Sequence, residues 1–298
     1  DMLIQQKIIG IERMIIMFAV SVTSIASSML LINGDVILNY SAISFSGISM
    51  TGSEWIKVMT LPATASYILI WIIFRLFMFK NLSSSLCEET EELEVITKSQ
   101  KISLLIMLGV ILMWFTEGFH HINSAYPALA GVIMMFLFGI VKVKDHHAIN
   151  YRLMVFMTAI FAIGKVLVGE GIAQRMSGAL LEVFPTPGSS WYLIALIGSV
   201  ILIHLLIGSS LATMSVIIVP LVALTEGVLN PVVVVMLIYL IVNTHYILPI
   251  HHTVLLVGYG EKHFDTPLVV KYCGYMTIGI FIIIYGLFFP WWRLIGLM

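Results

Sequence analysis

Long apolar runs separated by short polar islands set the pattern of this chain. A membrane-crossing helix needs about 20 apolar residues, because it rises about 1.5 Å per residue through roughly 30 Å of hydrocarbon. The pattern predicts such spans over about 8–33, 56–79, 102–118, 126–141, 153–171, 231–252 and 271–292. Between the fifth and sixth lies a different signal. No Asp, Glu, Lys or Arg occurs from Pro187 to Thr225, yet Gly208, Ser209, Ser210, Thr213 and Ser215 interrupt the apolar run. Two half-length helices over about 190–207 and 213–226, meeting at a polar tip, fit this as a re-entrant hairpin.

Irregular backbone at membrane depth is tolerated only where protein buries it or it lines a watery cavity. Carriers use such broken helices to build midplane sites, with helix ends aimed at substrate and unwound carbonyls coordinating cations. The hairpin tip is therefore a candidate site. The stretch 172–185, closed by Pro185, reads as an amphipathic helix in the membrane interface. The run Glu88, Glu89, Glu91, Glu92 and Glu94 reads as a solvated linker over 81–101 between two halves, 1–80 and 102–298.

Composition supports a bilayer protein. Of 298 residues, 60% are hydrophobic and 10% charged, against roughly 25% charged in a soluble domain. The mean hydropathy is +1.05. A net charge of −1 with 15 Lys and Arg gives no basic face for nucleic acid. The two cysteines, Cys87 and Cys273, do not make a disulfide scaffold. The first residue is Asp1 and no signal-peptide pattern precedes the first apolar stretch, so the chain reads as part of something longer.

Basic residues set an expected orientation. Lys7, Lys80, Lys98, Lys101, Lys142, Lys144, Arg152, Lys262 and Lys271 fall on one side, and Lys57, Arg175 and Arg293 on the other. Positive charge collects in the cytoplasm, which puts the N-terminus inside and the C-terminus, with Trp291 and Trp292 as anchors, outside.

Four polar islands carry candidate chemistry. The first is Thr23, Ser24, Ser27 and Ser28, running into Asn33-Gly34-Asp35. Its bland reading is hydroxyls bonded back to their own helix. The second is the hairpin tip, Gly208 to Thr213. The third is Asn243, Thr244, His245, Pro249, His251, His252 and Thr253, where Pro249 removes a backbone donor and predicts a break. Polar residues there are costly in lipid and so point to a site. The fourth, Thr116, Glu117, His120, His121 and Asn123, falls at the outer surface, where solvent explains it, as it explains His146 and His147 inside. A metalloenzyme is disfavoured: no His-Glu-x-x-His occurs, and His245, His251 and His252 lack the i, i+4 pair.

From Ile149-Asn150-Tyr151-Arg152 through Phe161-Ala162-Ile163-Gly164 and Gly169-Glu170-Gly171-Ile172-Ala173, then Ile218-Val219-Pro220, Ile247-Leu248-Pro249, Gly258-Tyr259-Gly260, and Lys271 with Gly274, the order of motifs resembles the divalent anion:sodium symporter family. The resemblance covers essentially the whole chain. It implies an all-α integral membrane protein of about seven transmembrane helices plus one re-entrant hairpin. Such a chain is part of an inverted-repeat, elevator-type transporter, working as a homodimer. The family carries di- and tricarboxylates and sulfate with sodium, which makes Na⁺ the coupling ion, with no organic cofactor and no enzymatic activity. A bacterial inner membrane is the expected location.

Residue by residue, the family's outer Ser-Asn-Thr signature falls on Ser210, Leu211 and Ala212, so only the serine is kept, and Thr213 or Ser209 can substitute. Its first broken helix falls on Ser24, Ile25, Ala26 and Ser27, with the following turn near Asn33-Gly34-Asp35. Where the family has Thr-Pro-Pro-Asn, this chain has His252, Thr253, Val254 and Leu255. The other hairpin is expected before residue 1. The implied sodium ligands are Ser24, Ala26, Ser27, Ser28, Ser209, Ser210, Thr213, Asn243 and His245. The implied substrate contacts are Asn33, Ser210, Leu211, Ala212, His252 and Thr253. The alternatives are a proton-coupled or inorganic-anion carrier using His251 or His252, and a non-transporting remnant or partner subunit.

Overall fold

The computed structural model describes residues 10–79, 96–144, 182–187 and 189–298, with scattered positions between 151 and 175. The expected span over 153–171, the interfacial helix over 172–185, the acidic linker, His146, His147 and Cys87 lie wholly or partly outside them.

The described residues form helices and turns, with no strand among them. In order they are α1 (Gly10–Ser28), α2 (Val36–Ser46), α3 (Gly52–Met78), α4 (Lys98–Phe115), α5 (Ala125–Leu137), α6 (Ser190–Ile207), α7 (Ser210–Leu224), α8 (Pro231–Thr244), α9 (Thr253–Gly260) and α10 (Thr266–Leu294). Four of these, α1, α3, α4 and α10, are long and apolar enough to cross a membrane.

Local chemistry explains the boundaries. Asp35 accepts from the Leu38 N–H at 3.0 Å and starts α2, while Gly47, at φ +70°, ends it. Thr97 and Gln100 form a reciprocal capping box on α4. Asn230 caps α8 and Pro231 occupies its first turn, where no donor is needed. Asp265 caps α10 through the Leu268 N–H at 3.1 Å.

Two breaks differ from the sequence expectation. The first expected span, 8–33, stops at Ser28, and a second helix, α2, follows that periodicity alone did not predict. The second break comes five residues before Pro249: α8 ends at Thr244 and His245 is extended. Asn243 Nδ2 and the Thr244 hydroxyl donate back to the Tyr239 and Leu240 carbonyls, at 2.8 and 2.7 Å. Such back-bonding competes with helix continuation. Pro249 opens a single 3-10 turn to His251 instead.

At the expected hairpin, α6 and α7 pack against each other and meet at Gly208-Ser209. Gly208 sits at φ +72°, a left-handed turn that favours glycine. Helix α7 begins at Ser210, three residues earlier than expected, so Ser210 to Thr213 form its first turn and not a loose tip.

The centre of the molecule is α8, whose side chains from Val233 to Thr244 are all buried. A helix apolar on every face belongs in such a position. Helices α2, α6 and α7 pack around it, and α1 packs on α9 and α3. A second cluster joins Phe18, Phe74, Phe264 and Tyr272, with ring centroids 5.1–5.8 Å apart. Lipid is as apolar as these side chains, so close packing and hydrogen bonds, more than hydrophobic burial, hold helices together there. The pair α4 and α5 stands outermost. Ile106 is the one buried residue of α4, and an apolar groove of about 630 Å³ runs between the two helices.

Candidate functional site

The hairpin tip docks on the second break. Ser209 caps α7, its Oγ lying 3.5 Å from the Ala212 N–H. Ser210, buried, directs its hydroxyl at two carbonyls, Val242 at 2.9 Å and His251 at 2.8 Å. One O–H proton serves both, so the tip is held between the end of α8 and the start of α9. From the other side, His251 Nδ1 accepts from the Leu248 N–H at 2.8 Å, which leaves Nε2–H to face the Leu205 carbonyl of α6 at 3.4 Å. The tip and the break therefore hold each other through both helices of the hairpin.

Asn243 and His252 close the ring. His252 Nδ1 accepts from the Val254 N–H at 3.3 Å and caps α9, so its Nε2–H donates to Asn243 Oδ1, also at 3.3 Å. His245 turns away from the tip: its Nε2 meets the Thr277 hydroxyl of α10 at 3.0 Å, and Cys273 Sγ lies 3.6 Å from the same nitrogen. His204, which the sequence reading did not single out, is buried on α6. Its Nδ1 lies 3.1 Å from the Thr213 hydroxyl, and its ring is 5.0 Å from that of His251.

The structure thus brings together Ser210, with Ser209 and Thr213 in the same turn, and the Asn243–His252 pair. Leu211 is buried, Ala212 half-buried and Thr253 exposed at the start of α9. The first group stands apart. Ser24 and Ser27 are exposed and Ala26 is buried. The Ser27 and Ser28 hydroxyls donate to the Ser24 and Ile25 carbonyls of their own helix, at 2.9 and 2.8 Å. Among the described residues, no hydrogen bond joins this group to the hairpin tip. Asn33 accepts from the Tyr40 hydroxyl at 3.0 Å and lines a mostly apolar cavity of about 210 Å³ against α4. In the fourth polar island Thr116, His121 and Asn123 are exposed, as expected, while one Glu117 carboxylate oxygen is buried without a hydrogen-bond partner and a Cβ on Gly52 would lie 3.2 Å from it.

The second break and the start of α7 carry neutral oxygen donors. The carbonyls of Asn243 and Thr244 have no following helical turn to supply donors, Asn243 Oδ1 keeps a lone pair, and the hydroxyls of Ser209 and Thr213 stand on the facing helix. These are neutral oxygen donors of the kind carriers offer to alkali cations. Among the described residues, no group of three or more His, Cys, Asp or Glu is placed to hold a metal ion.

Two further residues that the sequence reading passed over, Asn39 and Tyr239, are buried between the two breaks. For Tyr239 a signal was available, a lone polar group within the apolar run 231–242, whereas Asn39 stands beside Tyr40 and Ser41 and does not stand out.

No curated protein matches the chain. The family model for the sodium:sulfate symporter transmembrane region matches residues 5–298. With broken helices, a docked hairpin tip and an apolar exterior already in place, the match identifies the chain as a multi-pass membrane protein that belongs to the divalent anion:sodium symporter family, a family of sodium-coupled anion carriers.

Proposed function

We propose that the chain carries a small anion of the di- or tricarboxylate or sulfate class, with sodium bound where the hairpin tip meets the second break. The observation that carries this reading is the Ser210 hydroxyl between the Val242 and His251 carbonyls. One side chain ties the mobile element of such a carrier to the backbone that would hold its cation. The sodium ligands we assign are Ser209, Ser210, Thr213, Asn243 and the carbonyl of His245. The anion sits against the start of α7, at Ser210, Leu211 and Ala212, with His252 and Thr253 across from them. From Pro187 to Thr225 there is no Arg or Lys to neutralise a dianion. Bound sodium offsets the cost of bringing that charge out of water.

The same reading makes α6 and α7 a re-entrant hairpin in a chain of seven spans, with the N-terminus inside. Element order supports an internal repeat. Helices α1, α2 and α3 run as a helix, a break, a helix and a long span, and α8, α9 and α10 run the same way. A homodimer in a bacterial inner membrane, with the hairpin domain moving against a fixed scaffold, completes the proposal.

The test is equilibrium binding of labelled sulfate, succinate and citrate to the purified full chain in sodium and in potassium. Binding of at least one anion that requires sodium is the expected result. Equal binding in potassium would overturn the mechanism, and binding that follows pH instead would move the coupling to His251 and His252.

A further inference from the structure

The two breaks are not equivalent. At the first, every carbonyl from Ile25 to Ile32 already has a donor. The Ser28 hydroxyl serves Ile25, and the N–H groups of Met29 and Leu30 serve Ala26 and Ser27. Trp55 Nε1 serves Met29 at 3.1 Å, and the Thr60 hydroxyl serves Leu30 at 2.9 Å. The remaining three, Ser28, Leu31 and Ile32, converge on one atom. Asn39 Nδ2 lies 3.1, 2.9 and 3.1 Å from their oxygens.

Three carbonyls converging on a point are what an unwound helix offers a cation. Here the point is filled by an amide nitrogen, which carries two N–H donors and a partial positive charge but no lone pair to give. An ion cannot share those three oxygens with it. Asn39 is fully buried, and its own oxygen is fixed by the Tyr239 hydroxyl at 2.5 Å, so the amide cannot be flipped without losing contacts on both sides.

We infer that Asn39 takes the place of a cation at the first break, so that the chain binds a single sodium ion, at the second break. This rests on the sodium reading above. It removes Ser24, Ala26, Ser27 and Ser28 from the sodium ligands and makes Asn39 a positioning residue for the first break. The second break differs in kind: the Val242 and His251 carbonyls are reached by the Ser210 hydroxyl, which can donate and coordinate at once, and among the described residues no side-chain amide nitrogen bridges several of its carbonyls.

Asn39→Asp tests the substitution most sharply, because it keeps the shape and the acceptor for Tyr239 while replacing the amide nitrogen by oxygen. Four oxygens then face one another, and either a proton or a metal cation must lie among them. The experiment counts radioactive ²²Na⁺ bound at saturation to the purified full chain, with potassium as the control cation. It also records the thermal midpoint in both salts. The expected result is about one sodium per wild-type chain, about two in Asn39→Asp, and a sodium-specific stabilisation of the variant beyond that of wild type. Two sodium ions on the wild-type chain overturn the inference and leave the sodium reading intact. None on the wild-type chain removes the sodium reading and this inference with it. If Asn39→Asp does not fold, Asn39→Ser, which vacates part of the cage, is expected to gain the second ion. The wild-type count decides the matter in either case.

Discussion

The Tyr239 hydroxyl donates to Asn39 Oδ1 at 2.5 Å, joining the central helix to the helix that follows the first break, 200 positions away in sequence. From there the connections run on to the tip. Asn243 Nδ2 donates to the Tyr239 carbonyl, Asn243 Oδ1 accepts from His252, and Ser210 reaches the carbonyls of Val242 and His251. The two breaks and the hairpin thus form one connected polar network inside an apolar shell.

Tyr239→Phe should therefore be costly out of proportion to one lost hydroxyl. It leaves a buried acceptor on Asn39 unsatisfied, a loss of about 1–3 kcal/mol. Unfolding of the purified protein in detergent should show a clear fall in midpoint. An unchanged midpoint would mean that the contact does not hold the breaks together.

Gly34→Ala should be more severe. A Cβ at this position would stand 2.3 Å from the Ser28 carbonyl oxygen and 3.0 Å from that of Leu31. These are backbone atoms that cannot step aside, so overpacking of about 3 kcal/mol is expected. Gly109→Ala, which meets nothing within 4 Å on exposed α4, is the control and should be neutral or slightly stabilising. Comparing the two variants' thermal midpoints checks the account of the first break.

Much of this architecture was legible in the sequence, and the reasons are physical. A charge-free run interrupted by Gly208 and Ser209 can bury its polar backbone only by turning there, so the α6–α7 pair was visible. The start of α7 was misplaced because Ser209 reads as part of a loose tip until its side chain is seen capping a helix. Helix α2 was missed because it is 11 residues long and interspersed with Asn39, Ser41, Ser44 and Ser46, so it offers no span-length apolar run, and Asp35, the capping residue, reads equally well as a turn. Pro249 drew attention to the second break, but Asn243 and Thr244 end the helix first. The pairing of Asn39 with Tyr239 could not be read at all, since nothing local in either helix specifies a partner 200 positions away.

Ser210→Ala should loosen the tip without unfolding the core. It removes the donor to two carbonyls at the proposed sodium site, worth about 1.4 kcal/mol or a tenfold weakening of sodium affinity. Ser215→Ala is the matched control, because the Ser215 hydroxyl donates only within its own helix, to Ala212 at 2.8 Å. Sodium titrations of both variants should separate them by about that factor. Equal affinities would remove Ser210 from the site.

The long helices α3 and α10 are joined at their ends by indoles. Trp292 Nε1 donates to the Val58 carbonyl at 3.2 Å and Trp291 Nε1 to that of Lys57 at 2.9 Å. Both carbonyls lie in the π turn Ile56–Thr60, where the regular ladder is interrupted. Trp292 is fully buried and Trp291 is not. Trp292→Phe should cost about 1 kcal/mol and Trp291→Phe markedly less, as read by the denaturant midpoint.

The central claim is that a sodium gradient drives an anion through this chain. The direct measurement is uptake of labelled sulfate, succinate and citrate into proteoliposomes holding the full chain, with an inward sodium gradient, an inward proton gradient, or neither. Accumulation of at least one anion above equilibrium with the sodium gradient alone is the predicted result. Accumulation that follows the proton gradient and ignores sodium, or no accumulation of any of the three, would contradict it.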